Sequence, residues 1–379
     1  MANFKVKNGL QAGRYLLSGG TETAGSVSYD IAGASYDSVS FSVAGQDTVP
    51  LSIDFNNDGT KMYILGGTND TIYQYTLSTA FDLSTASYDS VSFSVASQDT
   101  SPQGIAFNTN GTKLFLIGYA NDSVHQYSLS TSFDLSTASY DSVSFSVSGQ
   151  DSVPTGIAFN SDGTKMYMAG YISRSVYSYS LSTAFDLSTA SYDSVSFSVS
   201  SEITDLSDIT FNNNGTKMFV VGSTNGSIYQ YTLSTAFDVS TASYGSVSFS
   251  TSSQDSSPYG MAFMGDGTKL YVVGITNDSV YQYSTVSYTQ TLDLSTGTTF
   301  SFTPSGATTV SFTNPPASGK AIGFSVEING DGSAITWPTS VKWHGGAAPT
   351  ATASKEVYAF VTTDGGTVYY GRKAVEILA

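Results

Sequence analysis

The chain contains no cysteine among its 379 residues and only two histidines, His125 and His344. These absences exclude disulfides, thiolate nucleophiles and cysteine-based zinc sites, and they leave little for histidine-based metal binding. No apolar run approaches the roughly 20 residues of a membrane span, and no stretch has apolar residues at helical spacing. Only 12% of the residues are charged, whereas glycine, tyrosine, phenylalanine, serine and threonine are abundant. We therefore expect an almost entirely β-stranded protein that does not insert into a membrane.

The net charge of −16 lies wholly in the middle of the chain. Residues 36–286 carry 22 acidic and 6 basic side chains, whereas the remaining residues carry 8 of each sign. Such an acidic segment repels a phosphate backbone, so nucleic acid is not an expected partner. The N-terminus has early lysines but lacks the apolar stretch of a secretory signal, which predicts synthesis in a cytoplasm.

A serine-rich segment recurs along the same region. DLSTASYDSVSFSV stands at 82–95, 134–147 and 186–199, and an edited form stands at 238–251. A GTK motif recurs with it at a spacing of 52 residues, which gives five copies without insertion or deletion. Each copy contains four strand-like segments, and Asn-Gly or Asp-Gly pairs predict a tight hairpin between two of them, as Asn110-Gly111 does between 103–108 and 112–118. Alternation of serine with valine and phenylalanine indicates that the serine-rich strand is half solvated and lies outermost.

Repeated four-stranded units of this length predict the blades of a β-propeller, with a β-helix as the competing architecture. The first serine-rich strand, 36–43, precedes any blade, whereas the last copy lacks this strand. We therefore predict that 36–43 completes the blade formed by 259–284 and closes a five-bladed ring without a free edge. The predicted domains are an N-terminal attachment segment (1–35), a five-bladed β-propeller (36–286) and a C-terminal β-sandwich or jelly-roll domain (287–379).

One face of the predicted propeller is rich in carboxylates. The Gln-Asp-x-x-Pro loops lie on this face, and so does the turn that follows each GTK strand, such as the turn between 112–118 and 123–130. The loops carry Asp47, Asp99, Asp151 and Asp255, and the turns carry Asp70, Asp122 and Asp278. Such oxygens are suited to Ca²⁺ or to a cationic or carbohydrate ligand. Aspartate before a turn also caps backbone N–H groups without any ligand, so both interpretations are open and no cofactor is required.

Two further candidates lie in the C-terminal region. Trp343 and His344 stand in a predicted loop, where they either contact a ligand or cover the edge of the sandwich. His125, by contrast, stands where the other copies have tyrosine, which indicates a packing residue rather than a catalytic base.

Catalysis is not expected from this sequence. No G-x-S-x-G, P-loop or HExxH motif occurs, and near-identical repeats do not supply one asymmetric constellation. Glu202, Asp205 and Asp208 break the symmetry of the fourth copy and are the one place where chemistry would be sought.

Two sets of motifs resemble known families. The run P-x-G-I-A-F-N-x-x-G-T-K-[ML]-[YF], at 102–115 and 154–167, resembles the YVTN/NHL-type propeller repeat, from which the fourth copy departs at Leu206 and Asp208. The segment MANFKVKNGLQAGRYLLSGGTETAGS, the 52-residue repeats and the ending ITWPTSVKWHGG to KEVYAFVTTDGGTVYYG are together similar to virion appendage proteins of tailed bacteriophages, notably marine ones. This second resemblance covers nearly the whole chain.

The resemblance to phage proteins implies a virion structural protein that is synthesised in the host bacterial cytoplasm. It implies a tail fibre or similar appendage that adheres to the host surface through multivalent, non-catalytic contacts. A capsid decoration or head fibre is one alternative, and a polysaccharide-degrading enzyme on the propeller face is another. The expected partners are other virion proteins, through the N-terminal segment, and a host-surface glycan or protein. Analogy with phage fibres suggests a homotrimer.

Overall fold

The structure is a computed structural model that describes residues 21–24, 29–285, 287–304, 307–330, 335–352 and 354–377. The chain forms two compact units, Val27–Val286 and Met1–Ser26 with Ser287–Ala379. Within the described ranges the regular elements are β-strands and five 3₁₀-helices of three residues each. None of these helices is long and apolar enough to cross a membrane.

The larger unit consists of five antiparallel four-stranded sheets, which are the blades of a propeller. From the inner to the outer strand, blade 1 comprises Pro50–Phe55, Lys61–Gly66, Thr71–Leu77 and Ala86–Ser94; blade 2 comprises Pro102–Phe107, Lys113–Gly118, Ser123–Leu129 and Ala138–Ser146; blade 3 comprises Pro154–Phe159, Lys165–Gly170, Ser175–Leu181 and Ala190–Ser198; blade 4 comprises Leu206–Phe211, Lys217–Gly222, Ser227–Leu233 and Ala242–Ser250. Blade 5 comprises Pro258–Phe263, Lys269–Gly274, Ser279–Ser284 and, from the other end of the unit, Ser35–Ser42.

The ring closes as the sequence predicts. The inner strands contact one another in order from blade 1 to blade 5, and the inner strand of blade 5 contacts that of blade 1. Ser35–Ser42 pairs antiparallel with Ser279–Ser284, so that Phe41 lies opposite Val280 and Tyr36 opposite Tyr283. The five-bladed propeller is therefore confirmed, and its outermost strand in blade 5 comes from the early part of the chain.

Apolar residues of the second and third strands form the core between blades. In Lys61–Gly66, Met62, Tyr63, Ile64 and Leu65 are all fully buried, because both faces of the strand are covered by neighbouring blades. One cluster joins Ile64 and Tyr75 of blade 1 to Tyr271 of blade 5. Each large apolar side chain buried in this way stabilises the fold by roughly 1.5–3 kcal/mol. The outer strands alternate half-buried and exposed residues, as predicted.

The DLST part of the repeat forms the 3₁₀-helix before each outer strand. In Leu83–Thr85, Asp82 caps the N–H of Ser84, and the N–H of Leu83 donates to the side-chain carbonyl of Gln282 in the preceding blade, at 3.0 Å. The other four helices are Ile31–Gly33, Leu135–Thr137, Leu187–Thr189 and Val239–Thr241. Glutamine also accepts from the first residue of three of these four helices. Each such contact fastens one blade to its neighbour.

The Asn/Asp-Gly hairpins require glycine for two reasons. Gly163 has a φ of +73°, and a Cβ on it would overlap the aromatic ring of Phe185. Phenylalanine covers the equivalent glycine in four blades, whereas Tyr29 covers Gly267 in blade 5. The early part of the chain therefore makes the contacts of the repeat from Tyr29 onward. This residue lies within the range 1–35 that the sequence assigns to the attachment segment.

The smaller unit contains two mixed sheets. One has the order Thr21–Ala24, Ser287–Asp293, Ala307–Thr313 and Ile335–Thr336; the other has the order Thr299–Phe302, Ile322–Asn329, Lys355–Thr362, Tyr369–Ile377 and Val341–Trp343. Leu292 and Val310 of the first sheet and Phe300, Phe324 and Phe360 of the second share one apolar cluster. The C-terminal β domain is thus present, with both parallel and antiparallel strand pairs.

Candidate functional site

The loop aspartates of the propeller lie on one face, which we call the upper face. It consists of the loop 44–49, the turn 67–70 and their equivalents in the other blades, as the sequence predicts. Asp47, Asp99, Asp151 and Asp255 are buried, none more than 5% exposed. The carboxylate of Asp47 accepts from the N–H groups of Val49, Thr68 and Asn69, at 2.8, 3.2 and 3.0 Å. The carboxylates thus tie the loop to the turn through backbone hydrogen bonds.

The turn aspartates occupy positions that favour a left-handed backbone. Asp70, Asp122 and Asp278 have φ values of 47°, 48° and 48°, and Arg174 and Gly226 adopt the same region in the other two blades. Their backbone carbonyls accept from the N–H of the residue that directly follows the outer strand of the same blade. Within the described part of the chain, no group of three or more histidine or acidic residues is placed to hold a metal ion. A ligand at these seven aspartates stays a prediction.

The symmetry-breaking residues of the fourth copy are not brought together into one site. Glu202 accepts from the hydroxyl of Tyr231 at 2.9 Å, and Asp205 accepts from Ser223 and from the N–H of Thr224 on the upper face. Asp208 instead lies on an inner strand and lines a central cavity of about 250 Å³. Asp54 lines the same cavity, at a position where the other blades have alanine or threonine.

The two cavity carboxylates have raised pKa values. Burial raises the pKa of Asp54 to about 6, and burial together with the charge of Asp54 raises the pKa of Asp208 to about 7. Each accepts two backbone N–H groups, one of them from the next blade: Phe107 for Asp54 at 3.0 Å and Met261 for Asp208 at 2.9 Å. The sequence singles out Asp208, because the fourth copy departs from the repeat there. It does not single out Asp54, although aspartate at that position departs from the alanine of three other copies.

Aromatic residues gather where the inner strands meet the upper face. The hydroxyl of Tyr259 donates to the side-chain carbonyl of Gln103 at 2.5 Å. This hydrogen bond joins blade 5 to blade 2, the two blades on either side of blade 1. Burial and the neighbouring hydroxyls of Tyr119 and Tyr171 raise the pKa of Tyr259. Tyr119, Tyr171 and Ile172 are exposed by 42%, 39% and 58%. Blades 2 and 3 therefore present large apolar groups to solvent on the upper face.

His125 is a buried packing residue, as its alignment with tyrosine predicts. It is 6% exposed and makes an edge contact with Tyr140. Both of its ring nitrogens are buried without a hydrogen-bond partner among the described residues. Burial accordingly lowers its pKa, since the charged form is disfavoured there.

The smaller unit carries an open groove on the solvent side of its five-stranded sheet. Strand Val341–Trp343 pairs in parallel with Tyr369–Ile377, so that Lys342 lies beside Tyr370, and the latter lies beside Val361 of the third strand. One step further along the strands, Arg372 lies beside Ala359, and the N–H of His344 donates to the carbonyl of Gly371 at 2.9 Å. These residues line a depression of about 650 Å³ that we call the aromatic–basic groove.

The side chains of the aromatic–basic groove are positively charged, aromatic and exposed. Lys342, His344 and Arg372 are exposed, and Tyr370 is 62% exposed. Lys342 and Arg372 have no ion-pair partner among the residues that the structure describes, and no acidic residue lines the groove. Trp343 is half-buried and packs its ring against Trp337 and Phe360, which fixes the floor beneath the exposed side chains.

The sequence places Trp343 and His344 in a loop, whereas Trp343 is the last residue of the strand Val341–Trp343 and His344 follows it. It does not single out Lys342, Tyr370 and Arg372, and a ligand at Trp343 or His344 stays a prediction. The two strands that carry these residues are 26 positions apart, and a parallel pairing between them leaves no local signal. The alternation in TVYYGR indicates a strand with Tyr370 and Arg372 on one face, but it does not identify the neighbouring strand.

Comparison with known proteins gives likeness to solved structures alone. No protein-family model matches the chain, and no curated protein does. A functionally unknown protein from Desulfotomaculum acetoxidans is 14% identical with a TM-score of 0.39, over 59% of this chain and 65% of that one. A candidate 6-phosphogluconolactonase from Bacteroides uniformis is 13% identical with a TM-score of 0.41, over 62% and 66%. A luciferin-regenerating enzyme is 13% identical with a TM-score of 0.40, over 65% and 94%. The chain spans just under two thirds of the first two, and values this low carry no information on activity.

Proposed function

We propose that the chain is a non-catalytic structural subunit of a tailed-phage virion, placed in a tail fibre or similar appendage, and that it contributes to adhesion to the host surface. The virion assignment is supported by the sequence resemblance over nearly the whole chain. The adhesive role is supported by one observation above all, the aromatic–basic groove of the smaller unit.

The groove has the composition of a binding site and lacks the groups of a glycan-cleaving one. Glycoside hydrolysis generally needs a pair of carboxylates on either side of the scissile bond. The described lining of the groove contains no acidic residue, whereas it offers an exposed ring and several hydrogen-bond donors. A ligand there would therefore not meet the carboxylate pair that glycoside hydrolysis generally needs.

The upper face of the propeller is a second candidate contact surface. Its exposed Tyr119 and Tyr171 are of the aromatic type that is enriched at interfaces, and Ile172 adds exposed apolar area beside them. Two weak contacts on one chain, and more on an oligomer, combine through effective concentration into firm attachment. This is the mechanism that we assign to adhesion.

The enzyme alternative is favoured by one feature, the two cavity carboxylates with pKa values of about 6 and about 7. Such values suit a general acid. If the cavity were catalytic, polysaccharide extracted from the host would release reducing ends in the presence of the chain. The Asp54→Asn/Asp208→Asn variant would then abolish the release. We expect no release from either protein.

Gold-labelled antibodies against the purified chain test its place on the particle, and fluorescently labelled chain tests its adhesion to host cells. We expect gold on tail appendages and saturable labelling of cells. Gold on the capsid would favour the alternative of a decoration or head fibre. Absence of gold from the particle, or cells without label, would contradict the proposal.

A further inference from the structure

The aromatic–basic groove has a chemistry that points to a class of ligand. Lysine and arginine side chains donate hydrogen bonds and accept none, so Lys342 and Arg372 require a ligand that offers acceptor oxygens. Arginine binds carboxylate and phosphate groups in a planar, two-point geometry. Because neither side chain has an ion-pair partner among the described residues, both charges are free to meet an anion.

Beside these charges the groove presents a flat apolar surface. The ring of Tyr370 stands between Lys342 on one neighbouring strand and Val361 on the other, and it is 62% exposed. An exposed tyrosine ring offers contact area at low cost in conformational entropy. The combination of a ring face with flanking cations suits a ligand that has an apolar face and charged substituents at its edge.

The size of the groove favours a short glycan over a folded protein. Each of three adjacent strands contributes two surface residues to the groove, counting His344 with the strand that it follows. These six residues cover about 10 Å across the strands and about 7 Å along them. A stable protein–protein interface needs about 800 Å² on each partner. A footprint this small matches a few monosaccharide units, of which a surface polysaccharide offers many copies.

We propose that the aromatic–basic groove binds anionic monosaccharide units of a host-surface polysaccharide. The sugar ring lies against Tyr370, and its carboxylate or phosphate group is bound by Lys342 and Arg372, with His344 beside them. This inference rests on the proposed adhesive function and adds the ligand class to it.

Calorimetric titration of the full-length chain tests the assignment with defined probes. Trigalacturonate supplies carboxylated rings, glucose 6-phosphate a phosphorylated ring, galactotriose a neutral one and triglutamate an acidic peptide. We expect trigalacturonate, glucose 6-phosphate or both to bind, with affinity falling about tenfold between about 20 and 200 mM salt as the charges are screened. Whichever of these two probes binds more tightly shows whether the groove prefers a carboxylate or a phosphate group. Galactotriose and triglutamate should bind at least tenfold more weakly.

Variants assign the binding to the groove. Lys342→Gln/Arg372→Gln should abolish measurable binding, and Tyr370→Ser should weaken it about tenfold. Lys320→Gln, at an exposed lysine outside the groove, is the matched control and should leave affinity unchanged. Equal binding of galactotriose, stronger binding of triglutamate, or equal effects of the groove and control variants would overturn the inference. If the chain labels host cells while no anionic sugar binds, the inference fails and the proposed function stands.

Discussion

The side-chain nitrogen of Lys269 lies 2.6 Å from a carboxylate oxygen of Asp37, although 232 positions separate the two residues. Asp37 also accepts from Gln282 and Ser284, at 2.9 and 2.6 Å. The same lysine–aspartate contact, at 2.7 Å, joins Lys61 to Asp89 in blade 1, where all four strands are consecutive in sequence. The closing strand of blade 5 therefore reproduces the lysine–aspartate contact of blade 1, where the outer strand directly follows the others in sequence.

Upper-face aspartates are predicted to stabilise the loops without a cation. Asp255 accepts from the N–H groups of Ser257, Thr276 and Asn277, at 2.8, 3.3 and 3.0 Å. Asp255→Ala should lower the free energy of unfolding by about 1–3 kcal/mol, because buried donors lose their acceptor. Thermal denaturation with EDTA and with Ca²⁺ provides the complementary measurement. We expect the same Tm in both, since a cation bound only by the folded state would raise it; a higher Tm in Ca²⁺ would contradict the structural role.

Substitution His125→Tyr is predicted to stabilise the protein. Four other blades have tyrosine at this position, and the hydroxyls of Tyr73 and Tyr229 accept hydrogen bonds that His125 does not make. The lowered pKa of His125 means that the unfolded chain binds a proton more readily, so wild-type stability falls as the pH drops below about 6.5. Urea denaturation at pH 8 and pH 5 should show a gain of about 1 kcal/mol at pH 8, the contribution of one hydrogen bond, and a larger gain at pH 5. A loss of stability at both pH values would show that a larger ring does not fit.

Carboxylates of the central cavity should have the opposite pH dependence. The pKa values of Asp54 and Asp208 are raised to about 6 and about 7 in the folded state, so the folded protein holds their protons more tightly than the unfolded chain. Their contribution favours folding at low pH and is lost as the pH rises from about 4 through about 7, by roughly 3–4 kcal/mol for each residue.

Two substitutions isolate this effect from the other titrating groups. Asp54→Ala and Asp208→Gly each introduce the residue that blade 2 has at that position. The double variant should gain stability relative to wild type at pH 8 and little at pH 4, as measured by urea denaturation. An equal difference at the two pH values would mean that ionisation of these residues is not responsible.

Glycine in the hairpin of blade 3 is predicted to be indispensable. Gly163→Ala brings a Cβ into the ring of Phe185 at a φ of +73°, and it should cost about 2 kcal/mol or more. Gly149→Ala is the matched control, because nothing lies within 4 Å of a Cβ at that position. The control should change the free energy of unfolding by less than about 0.5 kcal/mol. Equal effects of the two variants would contradict the packing of Phe185 over the turn.

Local patterns in the sequence predict the propeller because each blade repeats the same short-range signals. Hairpin glycines such as Gly111, alternation in the serine-rich strand, and the missing outer strand of the last copy together predict the strand order and the closure at 36–43. The contacts that fasten blades together are not predicted in this way. The bond from Leu83 to Gln282 joins residues 199 positions apart, and nothing local to either residue indicates it.

Candidate sites are predicted less completely, for the same physical reason. Asp47 is recognisable from its loop, but only the tertiary structure shows that backbone N–H groups already occupy its oxygens. The aromatic–basic groove requires a parallel pairing that places Lys342 beside Tyr370, and strand register of this kind depends on the packed core beneath the sheet. Sequence therefore predicts individual residues such as Trp343, whereas the fold determines which residues act together.

An engineered disulfide tests the closed ring most directly, because the chain has no cysteine of its own. Ser42 lies opposite Ser279 across the closing junction, and Thr71 lies opposite Ser94 between the same two strands of blade 1. Antiparallel neighbours are about 4.5–5.5 Å apart at Cα, within the range that a disulfide spans. On a non-reducing gel after mild oxidation, Ser42→Cys/Ser279→Cys should cross-link within one chain as fully as Thr71→Cys/Ser94→Cys. A junction pair that stays reduced while the blade 1 pair cross-links, or that links only different chains, would contradict the closed five-bladed ring.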